Sequence, residues 1–161
     1  MRPTSERIRE TLFNWLAPSI HGARCLDLFA GTGALGFEAL SRGAKSVVFV
    51  EKSPIAARML EANVERLNAD GATVLQMDAI AYLESAEAGA VDVVFLDPPF
   101  RAELHDELCR LLARQNLLAP DGSVYIEQPR SQPQAELPRG WKIIKNKTAG
   151  NVRYMLVQQL D

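Results

Sequence analysis

The chain has little of what a stapled, metal-bound or membrane-embedded protein needs. It holds two cysteines and two histidines among 161 residues. Cys25 falls in an apolar strand pattern and Cys109 in a helical one. Those are the settings of reduced core thiols, not of a disulfide framework. No spacing of His, Cys, Asp and Glu reads as a metal site, and His21 and His105 read as ordinary loop and helix residues. No apolar run approaches the roughly 18 residues of a membrane span. Met1 to Arg7 lacks the apolar stretch of a signal peptide. There is no internal repeat and no low-complexity tract. Net charge is only −2, so bulk charge does not advertise a nucleic-acid binder. The clusters Arg2, Arg7, Arg9 and Lys142, Lys145, Lys147, Arg153 read, on charge alone, as solvated surface. The expectation is a cytoplasmic protein without membrane or metal.

What is present is a globular composition, 47% hydrophobic and 24% charged, of a length that suits one domain over residues 1–161. Residues 4–17 predict a helix capped by Thr4, with Ile8, Leu12, Trp15 and Leu16 in one stripe. Strands are predicted at 24–29, 46–51, 73–77, 91–96 and 123–128. Between them lie predicted helices from the glycine turn to about Arg42, from Pro54 to about Asn68, over 79–85 and over 104–115. Ser53 and Pro54 form a helix start. Pro129 to Gly140 reads as a loop. Trp141–Lys145 and Val152–Gln158 then read as two strands joined too briefly to be parallel. The whole predicts an α/β fold: a doubly wound, mostly parallel seven-stranded sheet with helices on both faces and an antiparallel C-terminal hairpin. Ligands of such sheets bind at the carboxyl ends of the strands, near the switch point.

Three features fall at those ends: Gly31 to Gly36, Glu51 and Asp97 to Phe100. Gly31-Thr32-Gly33-Ala34-Leu35-Gly36 matches G-x-G-x-x-G after a strand and before a helix, where glycines permit a tight turn and close backbone approach. Glu51, 20 residues after Gly31, can accept both ribose hydroxyls of a nucleoside. These two fit NAD and S-adenosylmethionine (SAM) alike. Asp27, inside a buried strand, is costly without partners; it can brace the loop and hold an ammonium group, which SAM has and NAD lacks. Asp78 can meet an adenine amino group or cap the helix at 79–85, and the two roles are compatible.

The third strand-end feature is Asp97-Pro98-Pro99-Phe100. Two prolines end the strand, since each lacks an N–H and fixes φ. The aromatic exocyclic amine of a nucleobase is a poor nucleophile because its lone pair is delocalised. The Asp97 carboxylate and a backbone carbonyl, that of Pro98, can accept its two N–H bonds and aim the lone pair at an incoming methyl. Phe100 can stack on the ring. Positioning then supplies much of the acceleration, and Asp97 or water takes the proton released. The base must be flipped out or unpaired to reach such a pocket.

These residues resemble a known family. Asp97 to Phe100 looks like the signature of SAM-dependent enzymes that methylate exocyclic amines. Arg2 to Leu16, Leu26 to Arg42 and Gly150 to Gln158 are similar to the bacterial 16S rRNA (guanine(966)-N(2))-methyltransferases, over essentially the whole chain. The resemblance implies a Rossmann-like SAM-dependent methyltransferase fold and a monomeric enzyme. It also implies action on one guanine of 16S rRNA in the 30S subunit or its assembly intermediate. The cofactor contacts it implies are Thr4, Arg7, Asp27, Phe29, Ala30, Gly31, Thr32, Gly33, Glu51, Lys52, Asp78 and Ala79, with the first helix, residues 1–17, over the methionine end. Asp97, Pro98, Pro99 and Phe100 would hold the guanine, with no metal. Family members usually carry a further N-terminal segment with a β-hairpin, expected to help grip RNA, where Met1 stands.

Other readings remain open on the residues themselves: an adenine-N(6) methyltransferase, an inert methyltransferase-fold binding module, or an NAD-dependent dehydrogenase. The stacking role is testable. Phe100→Ala is expected to slow turnover by about tenfold or more, while Phe100→Tyr keeps most of it. Equal losses in a single-turnover assay would remove stacking from the account.

Overall fold

The computed structural model describes residues 4–98 and 102–160, apart from the side chains of Thr4, Ala102 and Glu103. The elements run α1 (Thr4–Leu16), β1 (Arg24–Asp27), α2 (Ala34–Ser41), β2 (Ser46–Glu51), α3 (Pro54–Leu67), β3 (Ala72–Gln76) and α4 (Ala79–Ser85). They continue β4 (Val91–Leu96), α5 (Ala102–Arg114), β5 (Leu118–Pro129), β6 (Trp141–Ala149) and β7 (Val152–Gln159). One seven-stranded sheet has the order β3-β2-β1-β4-β5-β7-β6. The first five strands pair in parallel, and β7 is antiparallel to both β5 and β6. The expected hairpin therefore forms, but its second strand enters beside β5 and its first becomes the edge.

Alternation along the strands sorts side chains into two cores. One face carries Cys25, Val47, Phe49, Val93, Phe95, Tyr125, Tyr154 and Leu156 against α1, α2 and α3. The other carries Leu26, Val94, Leu96, Val124, Ile126, Met155 and Val157 against α4 and α5. The sheet centre is thus covered on both sides, which is why β4 reads as a near-continuous apolar run, broken by Asp92 near its start. Helix α1 packs Ile8, Leu12, Phe13 and Leu16, all buried. Its Phe13 meets Phe95 at 6.0 Å and its Trp15 stacks on Tyr154 at 5.3 Å. Burying each such large apolar side chain contributes about 1.5–3 kcal/mol.

Local chemistry sets most boundaries. The Ser53 hydroxyl accepts from the Ala56 N–H at 3.3 Å and Pro54 opens α3, whose end is the left-handed Asn68. β1 stops at Asp27, two residues short of the expected end, because the chain bends into the glycine turn; Leu28 still donates to the Phe95 carbonyl at 3.4 Å. β5 begins earlier than expected, at Leu118. Asp121-Gly122, a dipeptide that favours turns, lies inside it as an irregularity, with Asp121 at φ 63° and a register shift opposite Val91 to Val93.

Gly36 shows why the glycine motif extends into the helix. A Cβ there would lie 2.2 Å from a Phe49 ring atom and 2.9 Å from a Val47 methyl, so α2 sits directly on β2. Gly36→Ala is expected to cost about 1–3 kcal/mol of overpacking. Urea unfolding followed by circular dichroism measures it; a neutral or stabilising change would mean the helix can lift off the strand freely.

Candidate functional site

The site begins at the turn between β1 and α2. Gly31 and Gly33 adopt φ of 55° and 80°, the left-handed region that only glycine enters without strain. At Gly33 a Cβ would also lie 2.6 Å from Leu60 and 2.7 Å from Phe37. The Gly31 N–H donates to Glu51 Oε1 at 2.8 Å, and the Ser53 N–H donates to Oε2 at 2.9 Å. The Glu51 carboxylate therefore ties the glycine turn to the start of α3, and each oxygen keeps a lone pair for a ligand hydroxyl.

Asp27 closes β1 and is buried. Burial pushes its carboxyl up to about 7; the facing Gly36 backbone N–H opposes this, and the Glu51 charge adds to it. The Gly36 N–H favours the charged form against that burial, and an incoming ammonium group would favour it further. Asp78 caps α4 as expected. Both capping bonds, from the Ile80 and Ala81 N–H groups at 3.0 and 3.2 Å, fall on Oδ2. Oδ1 is left for a ligand amine.

Asp97 follows β4 at the switch point, where β4 neighbours β1 on one side and β5 on the other. One side of the residue is open to solvent, while protein atoms crowd its carboxyl. That crowding pushes its pKa well up; a hydrogen bond with Glu127 and the charges of Glu127 and Asp27 push it further. Pro98 beside it is buried. Pro99 and Phe100 lie outside the described residues, as do Arg2 and the Thr4 side chain.

The remaining expected residues gather at the same edge. Phe29 is half-buried, Ala30 and Ala79 are buried, and Thr32 and Lys52 are exposed beside the turn and after β2. Helix α1 ends next to the segment that feeds the start of β1. Thr4 and Arg7 lie at its opposite end, and Arg7 has a partner within the fold. Lys142, Lys145 and Lys147 are exposed along the edge strand β6, where lysines also deter strand addition. A separate cleft, lined by Ser19, His21, Asp92 and Gly122, opens at the amino ends of β1, β4 and β5, away from these groups.

Three participants escaped the sequence reading. Glu127 lies one step past Ile126, which pairs with Leu96, so its carboxyl stands beside Asp97. The Tyr125 hydroxyl donates to Glu127 Oε1 at 3.3 Å. His105 is no ordinary helix residue: only 1% exposed, it sets Nε2 2.9 Å from the Glu127 carbonyl. A carbonyl can only accept, so Nε2 carries the proton, and the buried Nδ1 has no partner. Glu127 did carry a signal, since it ends an apolar strand as Glu51 does. Nothing in the chain marked His105.

Comparisons with known proteins agree with this architecture. The protein-family profile described as conserved hypothetical protein 95 matches residues 1–158. The chain is 43% identical over 161 residues to ribosomal RNA small subunit methyltransferase D of Haemophilus influenzae, covering 98% of this chain and 83% of that one. It is 42% identical over 160 residues to the protein of the same name from Escherichia coli K12, covering 99% and 80%. A solved E. coli structure, named provisionally as a methyltransferase, superposes with a TM-score of 0.92 at 40% identity, covering 96% of this chain and 87% of that one. A solved H. influenzae structure, named provisionally as a methylase, gives 0.88 at 42% identity, covering 99% and 100%. The fold is the Rossmann-like methyltransferase fold that the strand order and the resemblance imply.

Asp27 yields a stability prediction. Its folded pKa rises from 3.8 to about 7, so the folded state holds the proton more tightly than the unfolded one. The stability it contributes is full in acid and lost as pH rises across that window. Thermal melts should show Asp27→Asn losing less stability than wild type between pH 4 and pH 7. Parallel curves for the two proteins would refute the burial of a titrating Asp27.

Proposed function

The chain belongs to the conserved hypothetical protein 95 family, and from that premise we propose that it methylates the exocyclic 2-amino group of a guanine in 16S rRNA, with SAM as donor. Methyl transfer to ribosomal RNA carries over from relatives more than 40% identical across nearly the whole chain. Guanine, its amino nitrogen and the donor are our reading. The observation that supports them is Asp97-Pro98 at the switch point, beside a glycine turn flanked by strand-end carboxyls.

The residues present fit SAM. Its ammonium matches the buried Asp27 carboxyl, its ribose hydroxyls match Glu51, and its adenine amine matches Asp78 Oδ1. Helix α1, with Thr4 and Arg7, covers the methionine end. When bound, SAM supplies an electrophilic methyl group on a sulfonium. The protein supplies the rest. Asp97 and the Pro98 carbonyl accept the amine N–H bonds, turn the lone pair toward the methyl and fix the approach, and Phe100 stacks on the flipped base. Little base strength is needed before transfer, because the amine becomes acidic only as its new bond forms. We place this activity in the cytoplasm, in a monomer acting on the 30S particle or its assembly intermediate.

Small subunits lacking the modification, incubated with the protein and SAM, should gain a single methyl on one guanine of 16S rRNA, mapped by mass spectrometry. A methyl on an adenine, or none, overturns the reading. Asp97→Ala should lower turnover by at least about a thousandfold, with SAM affinity by calorimetry within about threefold.

A further inference from the structure

Transfer to the guanine amine leaves a proton to remove, and the surroundings of Asp97 constrain where it goes. Asp97 and Glu127 stand side by side at the ends of neighbouring strands, each one residue beyond the Leu96–Ile126 pair. Phe95 and Tyr125 belong to the core on the α1 face, so alternation puts Asp97 and Glu127 on that face too. That register and shared face bring the two carboxyls together, and the proximity of Glu127 pushes the Asp97 carboxyl up. Two carboxyls so placed are most favourably held with one proton between them.

The neighbours decide which group carries that proton. Tyr125 donates its hydroxyl to Glu127 Oε1, so Glu127 is already an acceptor, and a second donor, from Asp97, completes a carboxylate's preferred shell. The crowding around Asp97 favours its neutral form for the same reason. Glu127 is also held from behind. Its carbonyl accepts from His105, and its strand partner on β7 is Tyr154, which stacks on Trp15. Among the described residues, the titratable groups that act on the pair or hold it are Asp27 on β1, Tyr125 on β5, Tyr154 on β7 and His105 on α5. Helix α1, packed on the same face, carries Arg7 and Glu10, each with a partner. Of the groups that act on Asp97, Glu127 has the largest effect.

A neutral Asp97 can accept an amine N–H through its carbonyl oxygen but has no charge with which to take the proton. We infer that Glu127 is the terminal proton acceptor of the reaction and acts through Asp97. As the amine acquires its methyl, one N–H bond breaks and the proton joins the Asp97 carbonyl oxygen. In the same motion the Asp97 hydroxyl proton passes to Glu127. Asp97 is neutral before and after, with its two oxygens exchanged in role. Glu127 goes from carboxylate to acid and later returns its proton to water. Asp97 touches the substrate; Glu127 is a positioning and proton-accepting residue one hydrogen bond behind it. The inference rests on Asp97 being the group that holds the amine.

Two measurements on the full chain test it. The first needs no cofactor or RNA: carboxyl carbon NMR of protein labelled at Asp and Glu, titrated with pH. Asp97 in the wild type should still be protonated at neutral pH, and in Glu127→Gln its titration should move down toward the ordinary carboxylate range. The second is single-turnover kinetics on 30S particles. Glu127→Gln should lose about a hundredfold in kcat while KM for the particle and SAM affinity stay within about threefold. Glu127→Asp, which keeps a carboxylate at shorter reach, should recover part of that loss. An unmoved Asp97 titration, wild-type kcat in Glu127→Gln, or equal losses in the Gln and Asp variants would each overturn the role of Glu127. Should Glu127→Gln be fully active while Asp97→Ala is dead, Asp97 keeps its place and the relay alone falls. If Asp97→Ala keeps turning over, the underlying reading falls with it.

Discussion

The pairing of β4 with β1 on one side and β5 on the other is the constraint on which the rest depends. Parallel strands in register present corresponding residues at one level, and alternation sends every second side chain to the same face. Asp27, Asp97 and Glu127 then have no choice of company. They fall on the α1 face of three adjacent strands, Asp27 level with Phe95 and Tyr125, and Asp97 and Glu127 two residues further on. A slip of one residue between β4 and β5 would send one carboxyl into the core against α4 and α5. The apolar side chains that fix register therefore also fix the chemistry.

This placement is expensive. Carboxyls crowded at a partly desolvated edge repel one another and favour their neutral forms. The cost is tolerable because the two cores hold the strand ends rigidly. Glu51 offsets part of it by accepting two backbone N–H groups, and Asp78 does likewise at α4. Asp27 has the Gly36 backbone N–H against its burial, whereas every influence on Asp97 among the described residues pushes its carboxyl up.

Much of the fold was legible because its signals are local. Ser53-Pro54, Asp78 before α4, the glycine turn and the proline stop after β4 each act through neighbours in sequence, and each element appears within a few residues of its expected place. The placement of Glu51 and Asp97 was legible because each depends on its own strand end. The site was not legible where the role comes from a neighbouring strand or helix. Glu127 matters because of register with β4, Tyr125 because its hydroxyl reaches across two residues of a pleat, and His105 because α5 lies over the end of β5. The same limit applies to the hairpin, since two antiparallel strands give no hint of which one joins the sheet.

That insertion has a consequence for biosynthesis. β5 gains its second neighbour, β7, only after β6 and the turn behind it have been made. While the chain is still being translated, one long edge of β5 hangs open, and the residue pair Glu127–Tyr154 does not exist. Strands β1 to β4, with Asp27, Glu51 and Asp97 at their ends, precede β7 in the chain, so the glycine-turn half of the edge is complete in sequence earlier than the half that borders Glu127. That later half closes when β7 slots in between its own hairpin partner and the waiting sheet.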